Sequence, residues 1–148
     1  EESGYQIDLD EIRSKITART RAVVLITPSN PTGGVLAEGV LKELAQIAIK
    51  NDLMVISDEV YERLIYDGTR HISIASLPGM KERTFTMNGM SKAYAMDGWR
   101  LGYVAAPEEY ILAMNKFHQH NTTCAPNFVQ VAAIAALNEE GDEVNEMV

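Results

Sequence analysis

The sequence predicts an α/β fold with a mostly parallel sheet covered by helices. Short and nearly continuous apolar runs, such as residues 23–26 and 54–56, are typical of strands buried on both faces. Longer segments between the runs repeat apolar residues at helical spacing, and Ala37 to Asn51 is the best example. Strands that alternate with helices favour parallel crossover connections, so we expect a single sheet with helices packed against it.

Four strands are predicted from their apolar and β-branched composition. They run from Arg21 to Thr27, from Leu53 to Ser57, from Arg83 to Met87 and from Leu101 to Ala106. No long helix separates the third strand from the fourth. Because the crossover between parallel strands usually contains a helix, the lack of one favours an antiparallel fourth strand.

Four helices accompany the strands. The first runs from Asp8 to Ile16, and the second, from Ala37 to Asn51, carries one continuous apolar stripe. The other two run from Glu108 to Asn121 and from Asn127 to Asn138. The last of these is rich in alanine, a strong helix former. A further helical start is expected at residues 142–144.

Polar clusters lie where the predicted strands end or begin. Residues 29–34 (Ser-Asn-Pro-Thr-Gly-Gly) follow the first strand, and residues 57–61 (Ser-Asp-Glu-Val-Tyr) close the second. Ser91 and Lys92 follow the third strand, and residues 98–100 (Gly-Trp-Arg) precede the fourth. Open α/β sheets bind ligands in the crevice outside the carboxyl ends of their strands, so we expect these clusters to converge on one site.

The last two clusters suit a cofactor that carries both an aldehyde and a phosphate. The amine of Lys92 can condense with a carbonyl to form a Schiff base. The guanidinium of Arg100 is permanently charged and can hold a phosphate through two parallel hydrogen bonds. Each residue alone also has a structural explanation. Asn30 lies in a turn sequence, Asp58 can cap a helix, and Tyr61 can pack at a rim.

Taken in order along the chain, the clusters are more specific. From about Thr20 to Leu137 the sequence resembles the class I and II aminotransferases, which are fold type I enzymes that use pyridoxal 5'-phosphate. The resemblance implies the large cofactor-binding domain of the aspartate aminotransferase-like fold. It also implies an L-amino acid and a 2-oxo acid as small-molecule substrates, and a homodimer when the protein is full length.

The resemblance assigns the chemical steps to two residues. Lys92 would hold pyridoxal phosphate as a Schiff base and then act as the general base that removes the substrate's α-proton. Asp58 would keep the pyridine nitrogen protonated, so that the ring can accept electrons. The same residues serve relatives that eliminate a β-substituent, such as carbon–sulfur lyases. Aminotransferase-like domains also act as ligand sensors in transcription regulators, and both alternatives stay open.

Four further residues would bind the cofactor without reacting. Asn30 and Tyr61 would hydrogen-bond the phenolic oxygen of the ring, and Arg100 and Ser91 would hold the phosphate. Two positions depart from the family pattern. Gly89 lies where some relatives have a second phosphate-binding serine, and Asp97 lies where many relatives carry threonine or serine. An acid this close to Arg100 is expected to offset part of its positive field and to lower cofactor affinity.

The chain of 148 residues is less than half as long as the aminotransferases it resembles. We therefore expect residues 1–148 to be part of the large domain, with the N-terminal part and the C-terminal small domain absent. Composition fits a soluble enzyme. The net charge of −8 argues against a nucleic-acid surface, and no apolar run approaches the roughly 18 residues that a membrane span requires.

The cysteine and the histidines indicate neither a disulfide nor a metal site. Cys124 is the only cysteine, which suits a reducing compartment, and a cytoplasmic location is expected. His118 and His120 are two residues apart on a predicted helix, so their side chains diverge. His71 lies in a predicted loop, where the sequence shows no ligand partner nearby.

Overall fold

The computed structural model describes residues 7–138 and 143–147. The strands are β1 (Ala22–Ile26), β2 (Met54–Asp58), β3 (Thr84–Gly89) and β4 (Gly102–Ala105). The helices are α1 (Leu9–Lys15), α2 (Glu38–Lys50), α3 (Glu108–Asn121), α4 (Asn127–Asn138) and α5 (Glu143–Met147). Short 3-10 turns cover Ile74–Ser76, Lys81–Arg83 and Asp97–Trp99.

The strands form one sheet in the order β1-β2-β3-β4. The first two pairings are parallel and the β3–β4 pairing is antiparallel. The predicted α/β class, the four strands and the antiparallel fourth strand are thus confirmed, with strand ends within two residues of prediction. The expected helical start at 142–144 corresponds to α5, although residue 142 lies outside the described residues.

Helix α1 begins one residue later than predicted because Asp8 is its N-cap. A carboxylate oxygen of Asp8 accepts hydrogen bonds from the backbone N–H groups of Asp10 and Glu11, both at 2.9 Å. These donors have no partner within the helix, so the cap stabilises its first turn by about 1 kcal/mol. The first turn also carries acidic residues and the last turn basic ones, as the helix dipole favours.

Helix α2 covers one face of the sheet through its predicted apolar stripe. Leu41, Leu44 and Ala48 are buried there against Leu25 of β1 and Val55 of β2. Paired residues on neighbouring strands point to the same side of a sheet, so this side also receives Ser57. We call the side that carries Leu25, Val55 and Ser57 the packed face.

The opposite side of the sheet carries Val24, Ile26, Asp58 and Met87, and we call it the open face. Its apolar residues are accessible, with Val24 67% and Ile26 44% exposed. The apolar run of β1 predicted a strand that is covered on both faces. Among residues 7–138 and 143–147, β1 is covered on the packed face only. On the same side, the ring of Phe85 packs against Tyr110 of α3, with centroids 5.1 Å apart. Within the described residues, every helix is too short or too polar to cross a bilayer.

Candidate active site

A cavity of about 300 Å³ opens at the carboxyl ends of β2 and β3. Its walls include Asp58 from the end of β2, Ser91 from the segment after β3, and Arg100 from the segment before β4. These three residues come from three of the polar clusters, at residues 57–61, 91–92 and 98–100. The structure therefore brings a carboxylate, a hydroxyl and a guanidinium to one opening.

Asp58 is the last residue of β2, and its backbone is tied into the sheet. Its carbonyl oxygen accepts a hydrogen bond from the backbone N–H of Thr27 at 3.1 Å. One carboxylate oxygen accepts from the backbone N–H of Val60 at 3.2 Å. This bond caps a turn rather than a helix, because no helix follows β2 directly. The side chain is half-buried and retains acceptor capacity toward the cavity.

A second group of candidates lies around Tyr61. The amide nitrogen of Asn30 donates to the hydroxyl oxygen of Tyr61 at 3.3 Å. The amine of Lys92 lies 5.6 Å from the centre of the Tyr61 ring, within range of a cation–π contact. One residue from each of the first three clusters thus meets here, although 31 positions separate Asn30 from Tyr61 along the chain. Asn30 and Lys92 are exposed and Tyr61 is half-buried, which leaves all three accessible.

Arg100 is held in an uncommon backbone conformation. Its φ of 55° and ψ of 50° lie in the left-handed region. For a residue with a side chain, this backbone conformation costs roughly 1–2 kcal/mol of conformational free energy. Its guanidinium donates to the backbone carbonyl oxygen of Asp97 at 2.7 Å. Since the contact is with the carbonyl and not with the carboxylate, Asp97 orients Arg100 through the 3-10 turn. The exposed guanidinium keeps further donors for an anion.

The residues present fit pyridoxal phosphate in their chemistry. A guanidinium and a hydroxyl suit a phosphate, and a carboxylate suits a protonated ring nitrogen. Amide and phenol groups suit the ring's oxygen, and a primary amine suits its aldehyde. Trp99, next to Arg100, packs against Phe128 with ring centroids 6.2 Å apart.

Sequence reasoning missed Glu59, the residue next to Asp58. Its side chain is 1% exposed and points away from the cavity, because successive strand residues face opposite sides. The expectation that His71 lacks a partner is wrong, since its Nε2 lies 3.0 Å from a carboxylate oxygen of Glu59. The loop that contains His71 returns to the end of β2, where His71 contacts Glu59. No local sequence pattern predicts this return. The available signal was an acidic residue in phase with buried Val55 and Ser57.

Glu59 also takes part in a cluster with the ligand types of a metal site. One ligand atom each from Glu59, Glu62 and His71 lie within 4.8 Å of one another. Both carboxylate oxygens of Glu59 already have hydrogen-bond partners. One oxygen accepts from the hydroxyls of Ser57 and Ser73, and the other is paired with Nε2 of His71. The protein's own groups therefore satisfy this carboxylate, and we assign no metal to it.

Comparison with known proteins decides the family. Residues 1–148 match the sequence model of the family described as Aminotransferase class I and II. The chain belongs to this family. Its relatives include aromatic-amino-acid aminotransferase 2 of Thermococcus litoralis and aspartate aminotransferase of Pyrococcus abyssi. Each is 51% identical over 140 residues, which is 95% of this chain and 36% of the relative.

Solved structures of this family superimpose closely on the chain. The aromatic aminotransferase from Pyrococcus horikoshii OT3 aligns with a TM-score of 0.96 and 51% identity, over 99% of this chain and 40% of that one. The aspartate aminotransferase from Thermus thermophilus with maleate aligns with a TM-score of 0.88 and 42% identity, over 93% and 35%. This aminotransferase-family chain therefore has the aspartate aminotransferase fold and spans less than half the length of the relatives it matches.

Proposed function

We propose that this chain forms part of the large cofactor-binding domain of a pyridoxal-phosphate-dependent transaminase. The whole protein would transfer an amino group from an L-amino acid to a 2-oxo acid. The observation that carries the proposal is the convergence of Asp58, Ser91 and Arg100 on one cavity. Family membership supports it, and the two relatives named above are both aminotransferases.

Two residues anchor the phosphate in this proposal. Arg100 offers a planar, permanently charged fork, and Ser91 adds a hydroxyl from the adjacent segment. Because Arg100 is exposed and lies at the rim, an entering phosphate displaces water from it without breaking an ion pair. The phosphate then sets the position of the ring relative to Asp58.

Three residues tune the ring. The half-buried carboxylate of Asp58 stabilises a proton on the ring nitrogen. Tyr61 and Asn30, already hydrogen-bonded to each other, offer a hydroxyl and an amide to the ring's oxygen. When bound, pyridoxal phosphate supplies an aldehyde joined to a pyridinium ring that accepts electrons from the substrate's α-carbon.

Lys92 carries the covalent and proton-transfer roles. Its amine would hold the aldehyde carbon of the cofactor covalently, with release of water, and would be exchanged for the amino group of the substrate. The released amine then takes the α-proton of the substrate at Nζ. The place of Nζ beside the Tyr61 ring keeps it near the residues that tune the cofactor.

The decisive experiment is an absorbance titration of the full-length protein with pyridoxal phosphate. We expect a visible band that Lys92→Ala abolishes and Lys81→Ala, a change to an exposed lysine outside the site, retains. Borohydride reduction followed by mass spectrometry is expected to place the adduct on Lys92. A protein that shows no band, or an adduct at another lysine, would refute the proposal.

Product analysis separates the transaminase from its alternatives. The named relatives act on aspartate or aromatic amino acids, so these are the first amino donors to test. A transaminase needs an added 2-oxo acid. A β-eliminating lyase instead forms pyruvate and ammonia from a suitable amino acid alone, and a ligand-sensing domain shows the visible band without turnover.

We also propose a cytoplasmic homodimer for the full-length protein. The free thiol of Cys124 is exposed, which is compatible with a reducing compartment. Apolar side chains such as Phe117, Phe128 and Ile134 are exposed on α3 and α4 and offer surface for packing. Sedimentation equilibrium of the full-length protein tests this, and a monomer at micromolar concentration would contradict it.

A further inference from the structure

The carboxylate of Glu59 lies inside the protein directly behind the candidate site. One of its oxygens accepts hydrogen bonds from the hydroxyls of Ser57 at 2.8 Å and Ser73 at 2.9 Å. The other oxygen lies 3.0 Å from Nε2 of His71, whose side chain is 8% exposed. We call these four residues the Glu59 network. Its three contacts supply the polar partners that a buried carboxylate requires.

Burying a carboxylate and an imidazole costs more desolvation free energy than burying apolar side chains of the same volume. The Glu59 network adjoins the apolar core of the packed face, which includes Val55 and Ile74. A buried carboxylate is costly to remove from water even when it has partners, and well-packed apolar residues in the same space are often as stable or more stable. In addition, Nδ1 of His71 is buried and makes no hydrogen bond with a described residue. Stability alone therefore does not account for the network.

The backbone around Glu59 shows what the network holds. The N–H of Glu59 donates to the carbonyl of Met87 at 2.9 Å, and its own carbonyl accepts from the N–H of Glu62 at 2.9 Å. Glu59 thus joins the end of β2 to β3 and begins the turn that contains Tyr61. Its side chain fastens the same residue to the loop at His71 and Ser73. A residue fixed at both backbone and side chain has little freedom to rotate.

Glu59 lies between the two residues that the proposed function assigns to the cofactor ring. Asp58 precedes it and faces the cavity, and Tyr61 follows two positions later. We propose that the Glu59 network is a positioning device that holds Asp58 and Tyr61 at the angles the cofactor ring requires. Glu59 and His71 act through these neighbours and do not touch the cofactor themselves. This inference rests on the proposed function and adds positioning residues to it.

The phosphate anchors give the proposal a specific signature. Ser91 and Arg100 come from the segments around β3 and β4, and neither hydrogen-bonds to the Glu59 network. Disturbing the network should therefore leave cofactor affinity nearly unchanged. It should lower the catalytic rate and alter the protonation of the bound cofactor, because those depend on Asp58 and Tyr61.

The test uses the full-length holoenzyme with His71→Ala, which removes the imidazole, and His71→Gln, whose amide can restore a donor to Glu59. Thr84→Val is the matched control. Thr84 is buried, and its hydroxyl donates to the carbonyl of Met80 at 2.8 Å. It is the first residue of β3, and the cavity lies at the other end of that strand. The Thr84→Val change should lower the thermal midpoint without disturbing the site.

For His71→Ala we expect kcat to fall roughly 10-fold to 100-fold, as for a catalytic group displaced by a fraction of an ångström. Cofactor Kd should change less than about threefold, and the pH midpoint of the visible band should move by about 0.5 or more. His71→Gln should recover most of kcat and of the midpoint. Thr84→Val should change neither.

A His71→Ala enzyme that keeps the wild-type kcat and spectral midpoint while losing thermal stability as Thr84→Val does would overturn the positioning role. If His71→Ala does not fold, Ser73→Ala removes one donor and keeps the imidazole. It should then show the same pattern at about threefold in kcat, and an unchanged kcat would overturn the proposal. A wild-type protein without a visible band refutes the proposed function itself, and the positioning role with it.

Discussion

The two faces of the sheet differ in what their residues do. On the packed face, Leu25 and Val55 are buried under α2, and the Ser57 hydroxyl there donates to the buried carboxylate of Glu59. On the open face, Val24 and Ile26 are exposed and Asp58 keeps acceptor capacity toward a cavity. Side chains alternate along a strand, so neighbouring residues serve opposite purposes.

Asp58 and Glu59 illustrate the difference most directly. They carry the same functional group at adjacent positions, yet one is half-buried at a cavity and the other is 1% exposed within a network. The contrast teaches that the type of a residue at the end of a strand does not reveal its role. Its role depends on the face of the sheet to which its side chain points. Stability should therefore depend mainly on the packed face and chemistry on the open face.

The largest expected effect is on the packed face. Leu44 is completely buried at the centre of α2, so Leu44→Ala should lower the free energy of unfolding by about 2–5 kcal/mol. Gln46→Ala, at an exposed position of the same helix, should change it by less than about 0.5 kcal/mol. Chemical denaturation of the full-length protein measures both. Equal losses would break the assignment of stability to the packed face.

On the open face, a substitution at Asp58 should lower activity and leave stability nearly unchanged. Asp58→Asn keeps the shape of the side chain and removes its charge, so the rate should fall by roughly 100-fold, as for other preorganised charge-stabilising groups. Its thermal midpoint should stay near wild type, because the amide oxygen can still accept from Val60. Asp97→Asn is the control, since the carbonyl and not the carboxylate of Asp97 binds Arg100. A fully active Asp58→Asn enzyme would contradict the proposed site.

The rim of the cavity should show a smaller effect. Arg100→Lys keeps a positive charge but loses the planar fork, and cofactor affinity should fall about 10-fold. Arg100→Gln, which also loses the charge, should bind more weakly still. Absorbance titration of the full-length protein with pyridoxal phosphate gives both values. If the lysine variant binds as tightly as wild type, the phosphate is not held by a bidentate contact.

The smallest effect concerns Tyr103, which pairs with Asn88 at the edge of the sheet. Partial burial, and then the negative charge of Glu62, raise the pKa of the Tyr103 phenol above its ordinary value of 10.0. A raised folded-state pKa means that its contribution to stability is complete below pH 10 and is lost as the pH rises through the folded value. The difference in ultraviolet titration between wild type and Tyr103→Phe should therefore show one late-titrating phenol. An ordinary midpoint would contradict this.

Much of the architecture was predictable because its signals are local. The apolar stripe of Ala37 to Asn51 became α2, and the short apolar runs became β1 and β2 within two residues. The candidate residues at strand ends were also predictable, since turn-forming and charged residues stand out against apolar runs. Their meeting at one edge followed from the parallel pairing of β1, β2 and β3.

Other features depended on contacts between distant segments. The pairing of Glu59 with His71 joins residues 12 positions apart through a loop with no regular pattern. The exposure of Val24 depends on what packs against β1, which an apolar run does not specify. For the same reason, the sequence did not show that the backbone carbonyl of Asp97 accepts a hydrogen bond from Arg100, and the expected effect of the Asp97 charge on cofactor affinity stays a prediction.

The sequence by itself determined the class of fold, the order of its elements and the residues that could meet a cofactor, because periodicity and strand-end chemistry are written within a few neighbouring positions. Only the tertiary structure decided which groups surround each of the two adjacent acids, Asp58 and Glu59. These groups include Ser73, His71 and Arg100, which reach the end of β2 from other parts of the chain.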